Sequence, residues 1–337
     1  MIWLGTPILP KRQILYVSNT QNIHDARFIK MLKVTYDVTE VRASELGELI
    51  QKDGSKIQFD LAVVAGLDYL LHQELFSESF PIIGISLGYD INLAIEKSSK
   101  AEIVKVNVKS MDGIILDSEH SVKQLSRLIA EPLSKYVVSP YGADLENFES
   151  YSINIKKPLS IVVTRSWSSI HANIDIIEAM RFMKNSASIH FLGVTETDSK
   201  ELLEELLREG FHKVQWDSVV PQSDIPMFLE KGWCFVSASR SDGTSISLLE
   251  ALAAGKICVV SDFPSNLEWV SNGVNGFLFK NGDPSSLASV LDGISQMNVE
   301  DLYLIAQNAR RSVNTSGRWT INSDRIMKFI GNFLFVG

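Results

Sequence analysis

The sequence is poor in cysteine and contains no long apolar run. Its 337 residues include two cysteines, Cys234 and Cys258, and each lies in a short apolar stretch typical of a buried strand. Two such residues provide neither a disulfide framework nor zinc-ligand spacing, which favours a reducing compartment. No window reaches the roughly 18 apolar residues of a membrane-spanning helix, and residues 1–7 lack the basic segment of a secretion signal. We expect a protein of the cytoplasm or, by peripheral association, of the inner face of the membrane.

An excess of positive charge is also absent. The chain has 32 Lys and Arg against 40 Asp and Glu, a formal net charge of −8, and neither half is basic. Since nucleic acids attract basic surfaces, this composition predicts no nucleic-acid partner. A hydrophobic content of 45% with 21% charged residues indicates a globular protein.

Short motifs that hold catalytic metals or nucleoside triphosphates are missing as well. The sequence has no Asp-x-Asp, no HExxH, no paired Cys/His spacing and no GxxxxGK. We therefore expect no metal site and no cofactor.

Short β-branched runs alternate with longer helical stretches, which predicts βα units and parallel sheets. A polar stretch at 146–158 interrupts the alternation and is interpreted as a linker, and the length suits two domains of about 150 residues each. The predicted fold is α/β, with two Rossmann-like doubly wound domains at 1–150 and 151–315 and a last helix within 316–337. The predicted strands are 13–18, 37–41, 61–65, 81–85, 113–117, 136–139, 159–164, 188–192, 213–216, 232–239 and 257–261. The predicted helices are 24–33, 172–183, 200–209, 225–230, 247–254, 283–291, 300–313 and 321–333.

Residues 239–255, Ser-Arg-Ser-Asp-Gly-Thr-Ser-Ile-Ser-Leu-Leu-Glu-Ala-Leu-Ala-Ala-Gly, combine a strand end, a glycine-containing loop and a short helix ended by Gly255. A helix N-terminus with free backbone N–H groups favours an anion such as a diphosphate. Asp242 and Glu250 flank this position, and carboxylates accept hydrogen bonds from sugar hydroxyls. Two alternatives that need no ligand stay open: Ser247 and Glu250 form a capping box, and Asp242 opens a turn.

The run from Asp242 to Gly255, continued by residues 259–262 (Val-Val-Ser-Asp), Glu268, Asn275-Gly276 and Asp283, resembles the donor site of retaining GT-B glycosyltransferases of family four. That family has two acidic residues with seven between them, and Asp242 stands where Glu is commoner. The resemblance implies two Rossmann-like domains facing a cleft. It also implies that Glu250 binds the ribose hydroxyls, that Asp242 binds the donor sugar, and that a run of amides holds the diphosphate. The implied donor-binding residues of this run are Gly243, Thr244, Ser245, Ser247 and Leu248.

Three further donor-side residues follow from the resemblance. Arg165 follows a predicted strand at the place where the family has an Arg that neutralises the diphosphate leaving group, a task that suits a guanidinium. His171 stands where the family usually has a Lys, so it contributes charge only when protonated. Val219 ends the region 214–219, which corresponds to the nucleobase site of the family.

The N-terminal half resembles one branch of the same family. His24 and Arg27 lie three residues apart after the first strand, and Gly88 and Asp90 follow the fourth. The resemblance places His24, Arg27 and Asp90 beside the acceptor, with His24 and Asp90 among the catalytic residues. The alternative is that His24 simply starts a helix. Residues 140–144, with Phe148, resemble the segment that closes the first domain of the family, and the resemblance implies that the last helix crosses back to that domain.

The predicted function is therefore a retaining, metal-independent glycosyltransferase. The expected partners are a nucleotide-diphosphate sugar and a glycan, lipid-linked or small-molecule acceptor, with the N-terminal domain on the acceptor side. Two alternatives are a non-catalytic sugar-nucleotide-binding subunit and a sugar-nucleotide epimerase of the same architecture. A third is an α/β-hydrolase, because Gly84-Ile-Ser-Leu-Gly88 matches a nucleophile elbow and would make Ser86 the nucleophile.

Overall fold

The computed structural model describes residues 11–19, 23–52, 59–69, 80–195 and 197–334. The chain forms two compact units, Met1–Ser139 with Ser323–Gly337 (unit 1) and Pro140–Asn322 (unit 2). Among the described residues, no helix combines the length and apolar character needed to cross a bilayer.

Unit 1 is built on a six-stranded sheet in which every neighbouring pair is parallel, in the order β2-β1-β3-β4-β5-β6. The strands are β1 (Gln13–Ser18), β2 (Asp37–Arg42), β3 (Leu61–Ala65), β4 (Ile82–Ile85), β5 (Gly113–Leu116) and β6 (Tyr136–Val138). The described helices are α1 (Ile23–Thr35), α2 (Leu46–Lys52), α3 (Tyr89–Glu96), α4 (Ser98–Ser110) and α5 (Glu119–Ile129), with a 3₁₀ turn at Ala43–Glu45. Strands β3, β4 and β5 are buried throughout, as their continuous apolar sequences require.

The strand order of unit 1 reverses between β1 and β3. Chains leaving these two strands turn to opposite faces of the sheet, and ligands of doubly wound sheets bind beyond the carboxyl ends at such a switch point. The loops that follow β1 and β3 are therefore the expected ligand-binding loops of unit 1.

Unit 2 has a second all-parallel sheet in the order β12-β11-β10-β7-β8-β9, so its switch point lies between β7 and β10. The strands are β7 (Ser160–Val163), β8 (Ser188–Phe191), β9 (Lys213–Trp216), β10 (Cys234–Ser237), β11 (Ile257–Ser261) and β12 (Phe277–Phe279). The described helices that begin in unit 2 are α6 (Glu146–Glu149), α7 (Asn173–Phe182), α8 (Thr197–Glu209), α9 (Ile225–Leu229), α10 (Ile246–Ala253), α11 (Pro264–Leu267), α12 (Pro284–Gln296), α13 (Val299–Ser312) and α14 (Trp319–Leu334), with a 3₁₀ turn at Gln222–Asp224. Both cysteines are buried in this sheet as free thiols.

The boundary between the units lies between Ser139 and Pro140, before the linker predicted at 146–158. Ala143 forms a β-bridge with Arg318, and Phe148 is buried among apolar side chains of unit 2. These contacts give residues 140–149 to unit 2, although their sequence resembles the end of a first domain. Helix α14 begins in unit 2, and its residues from Ser323 onward belong to unit 1.

Candidate active site

Arg165 lies at the switch point of unit 2, just beyond the carboxyl end of β7. Its Nη1 donates to the hydroxyls of Ser245 (3.1 Å) and Ser247 (3.2 Å). Its Nη2 lies 2.5 Å from both the Nε2 of His171 and the Oδ2 of Asp242. The side chain is 12% exposed, and its Nε has no acceptor among the described residues. Four residues predicted for the donor site are thus gathered around one guanidinium.

Helix α10 starts on the other side of that guanidinium. Ser245 is its N-cap, and the Ser245 hydroxyl accepts from the amide of Leu248. The helix ends before Gly255, whose φ of +66° is the left-handed conformation that terminates a helix. The alternative capping box of Ser247 and Glu250 is therefore wrong, since Ser247 lies inside the helix and Glu250 lies in its second turn.

The charges at this position favour an anion. The N-terminus of a helix carries about half a positive charge, and here it faces a guanidinium that is itself positive. Asp242 is the carboxylate that pairs with the guanidinium, and it also accepts from the amide of Gly243, in the loop before the helix, at 2.9 Å. One carboxylate leaves the guanidinium and the helix end only partly balanced, so a phosphate here would be favoured electrostatically.

His171 is held on both of its ring nitrogens. Its Nδ1 lies 2.8 Å from the Ser166 hydroxyl and 3.1 Å from the Ser166 carbonyl oxygen. Burial, and after it the nearby Arg165 guanidinium, lower the pKa of His171, while Asp242 acts in the opposite direction. In this structure His171 is therefore a neutral imidazole at physiological pH.

Glu250 is buried on α10, and its Oε1 accepts from the side-chain amide of Gln222 at 2.6 Å. Gln222 belongs to the loop after β9, three residues beyond Val219, which is 71% exposed. The predicted ribose-binding acid and the predicted nucleobase loop are thus neighbours. No sequence pattern indicates Gln222, because it meets Glu250 across 28 positions of the chain.

Two polar residues fix the loop that carries Arg165 and His171. Asn173 donates from its side-chain amide to the carbonyl oxygen of Arg165 at 3.0 Å. Arg240 forms a bidentate ion pair with Asp175, with Nη2–Oδ1 at 2.8 Å, and its amide donates to the carbonyl oxygen of Ile170. Sequence reasoning missed both, since neither lies in a recognisable motif.

A pocket of about 440 Å³ lies next to this loop and is lined in part by Trp167, Asn173 and Arg240. Neither Arg165 nor any residue of α10 lines it. The convergence of charge at Arg165 and α10, rather than this pocket, therefore defines the candidate anion site.

In unit 1, Asp90, which the sequence predicts beside the acceptor, is enclosed by the loops around it. It is fully buried, and its carboxylate accepts from the amides of Leu67 (2.8 Å), Ile91 (2.9 Å) and Leu87 (3.3 Å) and from the hydroxyl of Ser86 (2.7 Å). Burial raises the pKa of Asp90 to about 6, although these hydrogen bonds oppose the shift. The carboxylate joins the loops after β3 and β4, so in this structure Asp90 holds backbone in place, and its predicted catalytic role stays a prediction.

The same contacts exclude Ser86 as an exposed nucleophile. Its side chain is 0% exposed, its hydroxyl donates to Asp90, and it accepts from the amide of Gly88 at 3.2 Å. A nucleophile elbow presents its serine to the substrate and pairs it with a histidine. The hydrolase alternative is therefore wrong.

His24 and Arg27 lie on the first turns of α1, which follows β1 at the switch point of unit 1. Asp25 between them is buried and accepts from the hydroxyls of Tyr16 (2.9 Å) and Ser18 (2.8 Å). These bonds fix the start of α1 against β1. The structure thus anchors the helix that carries His24 and Arg27, and their predicted roles stay predictions.

Within the described part of the chain, no three His, Cys, Asp or Glu side chains lie close enough together to share a metal ion.

Known proteins resemble this chain in sequence. The family model of glycosyl transferases group 1 matches residues 143–312. The N,N'-diacetylbacillosaminyl-diphospho-undecaprenol alpha-1,3-N-acetylgalactosaminyltransferase of Campylobacter jejuni is 24% identical over 278 residues, which cover 78% of this chain and 68% of the relative. The UDP-Gal:alpha-D-GlcNAc-diphosphoundecaprenol alpha-1,3-galactosyltransferase of Escherichia coli is 30% identical over 59% of this chain and 54% of its own length.

Solved structures share the fold at low identity. HepE of Anabaena, solved with UDP and glucose, has a TM-score of 0.74 at 14% identity and covers 95% of this chain and 100% of its own. Sucrose-phosphate synthase of Thermosynechococcus elongatus has a TM-score of 0.83 at 13% identity, with 97% and 100% covered. These likenesses confirm the predicted fold class, two Rossmann-like units of the GT-B type. The chain belongs to the glycosyl transferases group 1 and is a glycosyltransferase.

Proposed function

We propose that this glycosyltransferase takes a sugar from a UDP-sugar and transfers it, with retention of configuration and without a metal ion, to a hydroxyl of a lipid-linked glycan. The observation that carries the proposal is the convergence of Arg165 with the N-terminus of α10. Both are sources of fixed positive charge, and a nucleoside diphosphate becomes a leaving group when its developing charge is stabilised.

The donor chemistry follows from this charge. As the bond from the sugar to the diphosphate lengthens, negative charge grows on the phosphate oxygens. Arg165 and the backbone amides of residues 243–248 would stabilise that negative charge by donating hydrogen bonds to the phosphate oxygens. A guanidinium is suited to this because it is positively charged at every physiological pH. They would do what Mg²⁺ does in metal-dependent transferases, which supports a metal-independent reaction. Retention is proposed from the resemblance of residues 242–255 to retaining enzymes.

Hydroxyl recognition is proposed for the two carboxylates. Glu250, whose carboxylate accepts a hydrogen bond from Gln222, would also accept hydrogen bonds from the ribose hydroxyls. Asp242 would accept hydrogen bonds from the donor sugar once the diphosphate replaces it as the partner of Arg165. Val219, exposed in the neighbouring loop, would contact the base. The choice of uridine rests on the relatives, whose names include UDP-Gal and whose structures include complexes with UDP.

For the acceptor we propose the switch point of unit 1, with His24 and Arg27 as the polar groups of α1. The names of the Campylobacter and Escherichia relatives both specify a sugar linked to diphospho-undecaprenol as the acceptor. An acceptor of that kind keeps its lipid in the bilayer, so we propose that the protein works at the inner face of the membrane.

The test is a donor screen followed by a transfer assay. UDP-, GDP- and ADP-sugars are compared by thermal denaturation, where a donor at about 100 times its dissociation constant adds about 2.7 kcal/mol. The best donor is then incubated with diphospho-undecaprenol-linked sugars, with and without EDTA. We expect stabilisation by a UDP-sugar and EDTA-resistant transfer with an α-linked product. Stabilisation by no nucleotide sugar would refute the donor site, and binding without transfer or donor hydrolysis would indicate a non-catalytic subunit.

A further inference from the structure

His171 has a protonation state that the contacts define. An arginine cannot accept a hydrogen bond, so the 2.5 Å contact makes Arg165 Nη2 the donor and His171 Nε2 the acceptor. On the other side of the ring, the carbonyl oxygen of Ser166 can only accept, at 3.1 Å from Nδ1. The ring is therefore the neutral tautomer with its proton on Nδ1 and a lone pair on Nε2.

Two charged groups act on this ring. Arg165, from the loop after β7, opposes protonation, and Asp242, from the loop after β10, favours it. Burial is the larger cause that lowers the pKa of His171, and the charge of Arg165 adds to it. The ring of His171 therefore stays neutral as long as Arg165 donates to its Nε2 lone pair and Asp242 is the carboxylate that acts on it.

A bound diphosphate changes both conditions. It brings two negative charges to the N-terminus of α10, next to the guanidinium that now donates to His171. A phosphate oxygen there competes for the Nη2 hydrogens of Arg165, which frees the lone pair on Nε2. The same oxygen is an acceptor for a proton on that nitrogen, and a charge-assisted bond of this kind is stronger than a neutral one.

We propose that binding of the donor diphosphate is coupled to the uptake of one proton from solvent by Nε2 of His171, and that this proton returns to solvent when the nucleoside diphosphate leaves. The inference rests on the proposed function, because it requires the diphosphate at α10. His171 thereby supplies, in the complex alone, the second positive charge that a lysine at this position would carry permanently.

The sign of the pH dependence follows from linkage. The complex binds the proton more tightly than the free protein, so donor affinity rises as pH falls from above the pKa of His171 in the complex to below its pKa in the free protein. Within that window the association constant changes by at most about tenfold for each pH unit. Outside the window the affinity is independent of this group.

The experiment is isothermal titration calorimetry with UDP-galactose at about pH 7.5, repeated in buffers of different ionisation enthalpy. Each phosphate of this probe keeps one strongly acidic hydroxyl, which stays ionised, so the probe itself takes up no proton. We expect the observed heat to depend linearly on buffer enthalpy with a slope of about 0.5–1 proton taken up. His171→Gln should lower both the slope and the affinity. His171→Lys should abolish the slope and keep the affinity, binding about tenfold more tightly than wild type at about pH 9.

Two controls assign the proton to this ring. His120→Gln alters another histidine whose pKa is lowered by burial, in unit 1, and should leave the proton uptake unchanged. Asp242→Asn tests the other titratable group next to Arg165 and should retain uptake. Binding of UDP-galactose with no buffer dependence, or with equal uptake in His171→Gln, would overturn the inference and leave the proposed donor site standing. Failure of wild type to bind UDP-galactose would reject the proposed donor, and the inference with it.

Discussion

The switch points of the two units use charge in opposite ways. In unit 1 the carboxylates of Asp25 and Asp90 are buried and accept hydrogen bonds from neighbouring backbone amides and hydroxyls. In unit 2 Arg165 and Asp242 are 12% and 25% exposed, and the guanidinium retains an N–H without an acceptor among the described residues. The two sheets thus have similar topology but different charges at their switch points. The carboxylates of unit 1 hold loops together, whereas the guanidinium of unit 2 is available to a ligand.

The contrast has a physical cause in the residues that follow the strands. The backbone amides after β3 and β4 converge on one carboxylate, which they can satisfy completely. The loops after β7 and β10 bring a guanidinium to a helix N-terminus, and two positive groups need an external anion. Substitutions of Arg165 or Asp242 should therefore affect ligand binding and turnover, whereas substitutions of Asp25 or Asp90 should affect folding.

The largest effect is expected for Arg165→Ala. Loss of a donor to the leaving diphosphate should lower kcat by about 10²–10³-fold, with a smaller change in donor affinity. Steady-state kinetics with the donor from the screen measures it. Arg208→Ala, on the exposed face of α8, is the matched control and should behave as wild type. Full kcat in Arg165→Ala would remove the contrast between the two sites.

A somewhat smaller effect is expected for Glu250→Ala. The lost carboxylate would bind ribose by charge-assisted hydrogen bonds of about 1.5–3 kcal/mol each, so donor affinity should fall by about 100-fold or more. Calorimetry gives the affinity directly. Gln222→Ala keeps the carboxylate of Glu250 and removes only the side chain that donates to it, so donor affinity should fall less. Unchanged donor affinity in Glu250→Ala would contradict the assignment.

The next largest effect is expected in unit 1, for the stability of Asp90→Asn. An amide nitrogen in place of Oδ2 would face the amides of Leu67 and Leu87, which then lose their acceptor. We expect a loss of about 2 kcal/mol in the free energy of unfolding, measured by denaturant titration, with donor affinity retained in the folded protein. If Asp90→Asn were as stable as wild type but did not transfer the sugar to the acceptor, Asp90 would instead be a catalytic residue.

The smallest effect concerns pH. The pKa of Asp90 is raised to about 6 in the folded state, above its ordinary value near 3.8, so the folded protein binds the proton more tightly. Stability from this group therefore falls as pH rises through about 6, by about 1 kcal/mol between about pH 5 and pH 7. Unfolding of wild type and Asp90→Asn at both pH values isolates the difference. An equal pH dependence in the two proteins would show that Asp90 does not titrate in this range.

The strands of the sheets were the most predictable elements. β1, β3, β9 and β11 have the predicted bounds; β1, β3 and β11 are mostly apolar runs, and β9 alternates polar and apolar residues. Helix α4 was missed because its sequence, Ser-Ser-Lys-Ala-Glu-Ile-Val-Lys-Val-Asn-Val-Lys-Ser, alternates valine and polar residues as a strand does. Strand β12 was missed because three residues give too little pattern.

The candidate site was predictable where the residues share a motif and not where they meet only in the fold. Residues 242–250 form one loop–helix segment, so their proximity follows from the sequence. The contact of Arg165 with Asp242 joins positions 77 apart and depends on β7 lying next to β10. The burial of Asp90 could not be read from its neighbours, because an acid after a strand is equally suited to a ligand or to converging amides.

A crystal structure of the protein with UDP-galactose would show where the donor binds. We expect the diphosphate at the N-terminus of α10, within hydrogen-bond distance of Arg165 and of amides of residues 243–248, with Glu250 on the ribose. A diphosphate bound elsewhere, with Arg165 still paired to Asp242 and the helix end occupied by protein alone, would contradict this expectation.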